Sequence, residues 1–281
     1  MLNPDCVYML AADHRWQWEE WCDARSISRA RICEVKRLAA DGFQLARDRS
    51  PAVRKFGALL LDAQYSSAVI ADALNAGLTV GTPAEKAGAF PLAWTTDPFA
   101  AALIGAFVKV LVRFRADDAE EIREGQWAKL EALQSWCRRA GKPMVIEVLV
   151  PRRQEPEDTF DAVGRPAILA GFIADAYRRG LVPEFWKIEG TLSSEGARTI
   201  DRAIAAQPHC RQIILGKAAE LATIERWFAA ASGSPTAVGF AIGRSVFWEP
   251  STGFLAGTST ASESAADICT NYLRLVDAWR R

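Results

Sequence analysis

Three ionisable side chains interrupt short apolar runs, where a folded chain rarely leaves a charge without a purpose or a partner. Lys187 falls within Phe185-Trp186-Lys187-Ile188, Lys109 within Phe107-Val108-Lys109-Val110-Leu111-Val112, and Glu147 within the run Met144 to Val150. Burial disfavours the ammonium form of a lysine and draws it towards the neutral amine, the species that attacks a carbonyl to form a Schiff base. A second ammonium, Lys109, would add like-charge repulsion in the same direction, and Glu147 would exchange a proton with a substrate hydroxyl. The same three residues also suit a structural Lys-Glu-Lys ion-pair network, with Glu189 or Glu147 as the partner of Lys187. Both readings stand on the residues alone.

The elements that must position these groups follow one rhythm: a short apolar run, polar residues at its end, then a longer amphipathic stretch. The runs are Val7 to Ala11, Ala58 to Leu61, Leu78 to Thr82, Phe107 to Val112, Met144 to Val150, Phe185 to Ile188, Gln212 to Leu215 and Ala237 to Ile242. Helical patterns cover Ser26 to Phe43, Ser66 to Ala76, Asp117 to Ala140, Glu220 to Ala231 and Ala261 to Trp279. Near-continuous apolar strands alternating with helices require a sheet buried on both faces, so the expectation is an α/β fold, a single-domain (β/α)8 barrel spanning residues 1–281. An open doubly wound sheet is the competing architecture. The charged segment Arg152 to Pro166 is a candidate loop over the site, although an ordinary surface loop explains it as well.

In a barrel of this kind the C-terminal ends of the strands share one mouth. Asp13, Arg15, Asp62, Glu85, Lys86, Arg113, Lys217 and Arg244 fall at such ends and are expected to converge there with Lys109, Glu147 and Lys187. Gly216 and Gly243 follow the seventh and eighth runs, where barrels often hold a phosphate on backbone amides and a helix N-terminus, with Arg244 and Ser245 as added donors. Rival motifs fail on inspection: the stretch ending Leu215-Gly216-Lys217-Ala218 lacks the first glycine and the hydroxyl residue of a P-loop, and Gly243-Arg244-Ser245 lacks the second glycine of a nucleophile elbow. Trp16, Trp18 and Trp21 suit a helix packed on the barrel, with a stacking platform as the alternative.

Composition narrows the partners. Lys and Arg total 34 and Asp and Glu total 34, a balance that suggests neither a nucleic-acid footprint nor a membrane-surface patch. No apolar window approaches a membrane span, and Val7 to Ala12 is too short for a signal peptide. The 6 cysteines are scattered with no C-x-x-C pair, as in a reduced cytoplasmic protein. With only 2 histidines, His14 and His209, a histidine-built metal site is not expected.

The ordered segments Ala12-Asp13-His14-Arg15, Leu61-Asp62, Pro83-Ala84-Glu85-Lys86-Ala87-Gly88, Val108 to Arg113, Ile146-Glu147, Trp186-Lys187-Ile188-Glu189-Gly190 and Gly239 to Arg244 with Phe247-Trp248-Glu249-Pro250 look familiar. Together they resemble the C-terminal domain fused to 5-dehydro-2-deoxygluconokinase in bacterial myo-inositol catabolism. More distantly they are similar to the class I tagatose bisphosphate aldolases. The resemblance spans nearly the whole chain and implies a metal-independent Schiff-base aldolase with no cofactor beyond the covalent lysine adduct. It implies Lys187 as the Schiff-base lysine, Glu147 as the acid/base, Lys109 as the second active-site lysine, and Gly243 and Arg244 beside the substrate phosphate. Arg113 stands where the tagatose enzymes carry a tyrosine, and a substrate carboxylate is its natural partner. Trp16-Gln17-Trp18 replaces smaller residues after Asp13-His14-Arg15. The implied substrate is a phosphorylated keto-sugar acid, 2-deoxy-5-keto-gluconate 6-phosphate, with Asp13, Arg15 and Glu85 orienting the groups that touch it. Tagatose bisphosphate, a sulfosugar phosphate, or sugar-phosphate binding without catalysis are the alternatives. The kinase half has no counterpart in this sequence, so the chain would act alone or beside a separate kinase, and a homo-oligomer is left open.

Overall fold

Eight parallel strands close on one another in sequence order in the computed structural model, which describes residues 1–281. They are β1 (Val7–Ala11), β2 (Gly57–Leu60), β3 (Val80–Pro83), β4 (Phe107–Arg113), β5 (Met144–Leu149), β6 (Phe185–Glu189), β7 (Arg211–Leu215) and β8 (Ala237–Ile242), with β8 paired back to β1. The fold is therefore the (β/α)8 barrel that the alternation of runs predicts, and the open sheet is excluded by closure.

Side chains alternate along each strand, so every second residue enters the barrel. Val7, Met9, Ala58, Leu60, Phe107, Val145, Phe185 and Ile213 belong to one buried apolar cluster that plugs the lower interior. Two residues further along β4, β5 and β6, the same alternation delivers Lys109, Glu147 and Lys187 to the layer above. Glu147 and Lys187 are register partners across β5 and β6, so their contact is fixed by strand pairing. The outward faces of the strands carry two larger apolar clusters that receive the helices.

The helices start where short polar side chains accept orphan amides: Asp62 caps Ala63–Asn75, Ser193 caps Ser194–Ala205, and Thr260 with Glu263 closes a capping box on Ala261–Trp279. Helix Ala261–Trp279 packs on helix Ile32–Arg49, where a Cβ on Gly42 would lie 2.5 Å from Ile268 Cγ2.

Three expectations change. The crossover from β3 to β4 contains no α-helix; residues 84–106 form an irregular segment with one short turn, Phe99–Ala102, so strict alternation fails there. The helix expected from Ser26 begins as a turn at Arg29–Arg31 and continues as Ile32–Arg49. Arg152 to Pro166 is not loop throughout, because Glu157–Thr159 and Phe160–Gly164 are helical and run into Arg165–Arg178, with Phe160 and Arg165 buried.

Gly81 on β3 shows how tightly the interior is filled: a Cβ there would lie 2.1 Å from the Phe107 ring. Gly81→Ala is expected to lower stability by about 1–3 kcal/mol in urea denaturation. A variant as stable as the wild type would contradict this packing.

Candidate active site

The second layer of the barrel is a charge cluster built around one ammonium. Lys109 Nζ lies 2.7 Å from Asp13 Oδ2, 2.7 Å from Glu85 Oε1 and 3.0 Å from Glu147 Oε2. Lys187 Nζ lies 2.9 Å from the same Glu147 oxygen. Arg15 stands 3.6 Å from Glu85 Oε1 and donates to the Glu85 carbonyl and to Thr95 Oγ1. Three carboxylates thus face two ammoniums and one guanidinium, and the cluster is neutral as a whole. Lys109 and Lys187 are 2% and 5% exposed, so water screens these charges little.

Burial alone would weaken the Lys109 ammonium, but Asp13, Glu147 and Glu85 outweigh it and hold its pKa well above the ordinary lysine value. Burial likewise works against the carboxylate forms of Asp13 and Glu147. For both, Lys109 and then Lys187 prevail and lower the pKa below the usual range. Lys109 is therefore a clamped cation. Its charge is met by three carboxylates, one of which, Glu147, also contacts Lys187. Lys187 has a single carboxylate neighbour, Glu147, and opens onto the cavity.

The loop that carries Asp13 is fixed from behind by a residue the sequence did not single out. Lys36 is fully buried in helix Ile32–Arg49, donates to the Ala12 carbonyl at 2.6 Å and the His14 carbonyl at 2.5 Å, and pairs with buried Asp62 at 2.7 Å. Only its position on the inner face of an amphipathic helix would have signalled it. Asp62 consequently belongs to this supporting pair and not to the mouth.

The mouth is a cavity of about 290 Å³ lined by Asp13, Arg15, Glu85, Lys86, Lys109, Arg113, Glu147, Lys187, Gly216, Gly243 and Arg244, while Asp62 and Ser245 stay outside it. Asp13 and Glu85 hold Lys109, and Arg15 pairs with Glu85. Lys86 and Arg113 lie on the β3–β4 side and form no ion pair. Gly216 and Arg244 face them from the β7–β8 side. A Cβ on Gly243 would lie 2.0 Å from the Ala11 carbonyl oxygen, so only glycine fits there. Arg244 and Ser245 open helix Arg244–Leu255, where amides have no acceptor within the helix, and the Lys217 and Ala218 amides donate to no backbone carbonyl. This side therefore carries free amides and the Arg244 guanidinium, beside a Lys217 ammonium paired with Glu189. No group of three or more His, Cys, Asp or Glu side chains is arranged to hold a metal ion.

The tryptophans divide between the two roles. Trp18 is buried and stacks on Trp248 with ring centroids 4.0 Å apart, and Trp21 packs on Trp18 edge to face. Trp16 instead lines the mouth against Gly88, 38% exposed.

A family described as "Uncharacterized protein conserved in bacteria (DUF2090)" matches residues 2–281. The chain belongs to this family. No curated protein sequence matches it. Among solved structures it is similar to a Schiff base forming fructose-1,6-bisphosphate aldolase, at 15% identity over 97% of this chain and 94% of the other, with a TM-score of 0.56. An archaeal fructose 1,6-bisphosphate aldolase gives 13% identity over 98% and 94%, TM-score 0.56. A fructose-bisphosphate aldolase from Slackia heliotrinireducens gives 13% identity over 94% and 85%, TM-score 0.59. The fold is thus the barrel found in class I aldolases. No helix is long and apolar enough to cross a membrane.

His14, between Asp13 and Arg15, lines the cavity with its ring edge-on to Phe247. Burial, only partly opposed by Asp13, pushes its pKa down to about 3. A depressed histidine stays neutral when folded while the unfolded chain takes up a proton, so its contribution is present above the unfolded value and shrinks as pH falls towards about 3. Between pH 7 and pH 5 the wild type should lose about 2 kcal/mol more stability than His14→Gln in urea titrations. Equal losses would place the imidazole in water.

Proposed function

We propose that this protein is a class I aldolase in which Lys187 forms a Schiff base with a phosphorylated keto-sugar acid, 2-deoxy-5-keto-gluconate 6-phosphate. One observation carries the reading: of the two lysines in the barrel layer, Lys109 is held by three carboxylates and Lys187 by one that is itself shared. An amine facing a cavity, with an acid/base at 2.9 Å, is the arrangement that imine chemistry needs. The likeness of the fold to class I aldolases and the paired anion-binding walls support it.

Lys187 condenses with the substrate ketone and releases water. Glu147 takes the proton from the hydroxyl two carbons away, the carbon–carbon bond between them breaks, and its electron pair moves into the iminium to give an enamine. Malonate semialdehyde leaves. Glu147 returns a proton to the enamine carbon, and water hydrolyses the imine to free dihydroxyacetone phosphate and Lys187. Lys109 keeps Glu147 and Asp13 ionised and in place. Gly216, Gly243 and Arg244 receive the phosphate, and Arg113, with Lys86 nearby, receives the carboxylate.

Cleavage is measured as dihydroxyacetone phosphate release in a coupled reduction. The wild type should release it, Lys187→Ala should not, and Glu147→Gln should lower kcat about 100- to 10,000-fold. Arg113→Ala should raise KM about tenfold for the keto-acid and leave a ketose bisphosphate unaffected. If Arg113→Ala affects both alike, another ketose phosphate, such as tagatose bisphosphate or a sulfosugar phosphate, is the substrate. Binding of every candidate without cleavage would leave a sugar-phosphate binding protein.

A further inference from the structure

The anion side of the mouth contains a cation that the proposed chemistry has not used. Lys217 follows β7 directly and lines the cavity beside Gly216 and Arg244, with its ammonium 2.7 Å from Glu189 Oε2. Glu189 is the last residue of β6, two positions after Lys187 and therefore on the same inward face, and it is 2% exposed. The same Glu189 oxygen also accepts from Arg165 Nη1 at 3.1 Å. Arg165 is itself buried and tied to the Gly190 carbonyl at 2.6 Å and to Asp161 at 2.5 Å.

These contacts have a direction. Arg165 and Glu189 are anchored in the barrel wall, whereas the Lys217 side chain is 53% exposed and reaches back from the mouth to a buried carboxylate. Glu189 Oε2 is thus held by two cations, Arg165 from the barrel wall and Lys217 from the mouth, and Arg165 also serves Asp161. The backbone also departs from its preferred range to place this side chain: Lys217 and Ala218 have φ of 46° and 59°, a left-handed conformation that non-glycine residues adopt at a cost. That conformation leaves the two successive amides without a backbone acceptor, next to an ammonium that uses one of its three N–H donors on Glu189. An ammonium held at one point, with its remaining donors free beside unsatisfied amides, matches the oxygens of a phosphate monoester.

We infer that Lys217 is a further phosphate ligand of the site, and that Glu189, braced by Arg165, is a positioning residue that presents it. The inference rests on the aldolase reading for its substrate class but not for the existence of the anion site. It also gives the short segment Arg152 to Pro166 a task, since the end of that segment delivers Arg165 to Glu189.

Calorimetric titration of the full chain with inorganic phosphate, in wild type, Lys217→Met and Glu189→Gln, reads the site without any turnover. Lys217→Met should weaken phosphate binding about tenfold, and Glu189→Gln, which keeps the side-chain shape but releases the clamp, should weaken it by less. In parallel, borohydride trapping of unphosphorylated dihydroxyacetone should proceed equally in wild type and Lys217→Met, because that ligand has no phosphate to lose. Unchanged phosphate binding in Lys217→Met, with or without a lower Tm, would overturn the proposal and leave Lys217 as a neutralising partner of Glu189. Weakened trapping of dihydroxyacetone in Lys217→Met, to the same degree as phosphate, would also overturn it. Failure of the wild type to trap dihydroxyacetone at all would sink the aldolase reading, and the phosphate titration would still decide the role of Lys217.

Discussion

A single ammonium, that of Lys109, is the charge on which the upper barrel depends. Three carboxylates from different parts of the chain, Asp13 after β1, Glu85 after β3 and Glu147 on β5, converge on it within 3.0 Å. Any one of them left alone in this layer would face a large desolvation cost and would take up a proton. Held together, Asp13 and Glu147 stay ionised, and Lys109 stays charged with them. The second lysine is left with the one partner that chemistry requires. On the proposed reading, the same residue types that would make a mere ion-pair network are divided into two roles, one cation for electrostatics and one amine facing substrate.

The barrel makes this possible through register. Alternation places Phe107, Val145 and Phe185 below as a dry floor, and Lys109, Glu147 and Lys187 one layer above it. The floor excludes water from beneath, which strengthens the electrostatics above it. Behind β1, the Lys36–Asp62 pair fixes the backbone that carries Asp13. Around the rim, Lys86 and Arg113 lie on one side and Arg244 with the Glu189-paired Lys217 on the other, and on the proposed reading these cations meet the anions of the substrate.

Much of this was legible in the sequence because strands buried on both faces announce themselves as apolar runs, and a charge inside such a run is conspicuous. Lys109, Glu147 and Lys187 were visible for that reason, and the strand-end residues followed from the geometry of a closed barrel. What stayed hidden was pairing. No spacing rule says that Lys109 collects three carboxylates. Lys36 lay within a helical pattern that tolerates lysine at most positions, and only tertiary packing decides that its ammonium is buried. The β3–β4 crossover was read into a regular rhythm although its prolines and glycines leave it irregular. Arg165 and Glu189 lie 24 residues apart, and nothing in either segment shows that one braces the other.

The claim that the two lysines have separate roles is open to one direct measurement: peptide mapping of the protein after incubation with dihydroxyacetone phosphate and borohydride. The account predicts one reduced adduct, on the peptide containing Lys187, with Lys109 unmodified even at saturating ligand. An adduct on Lys109, or none on either lysine, would contradict it.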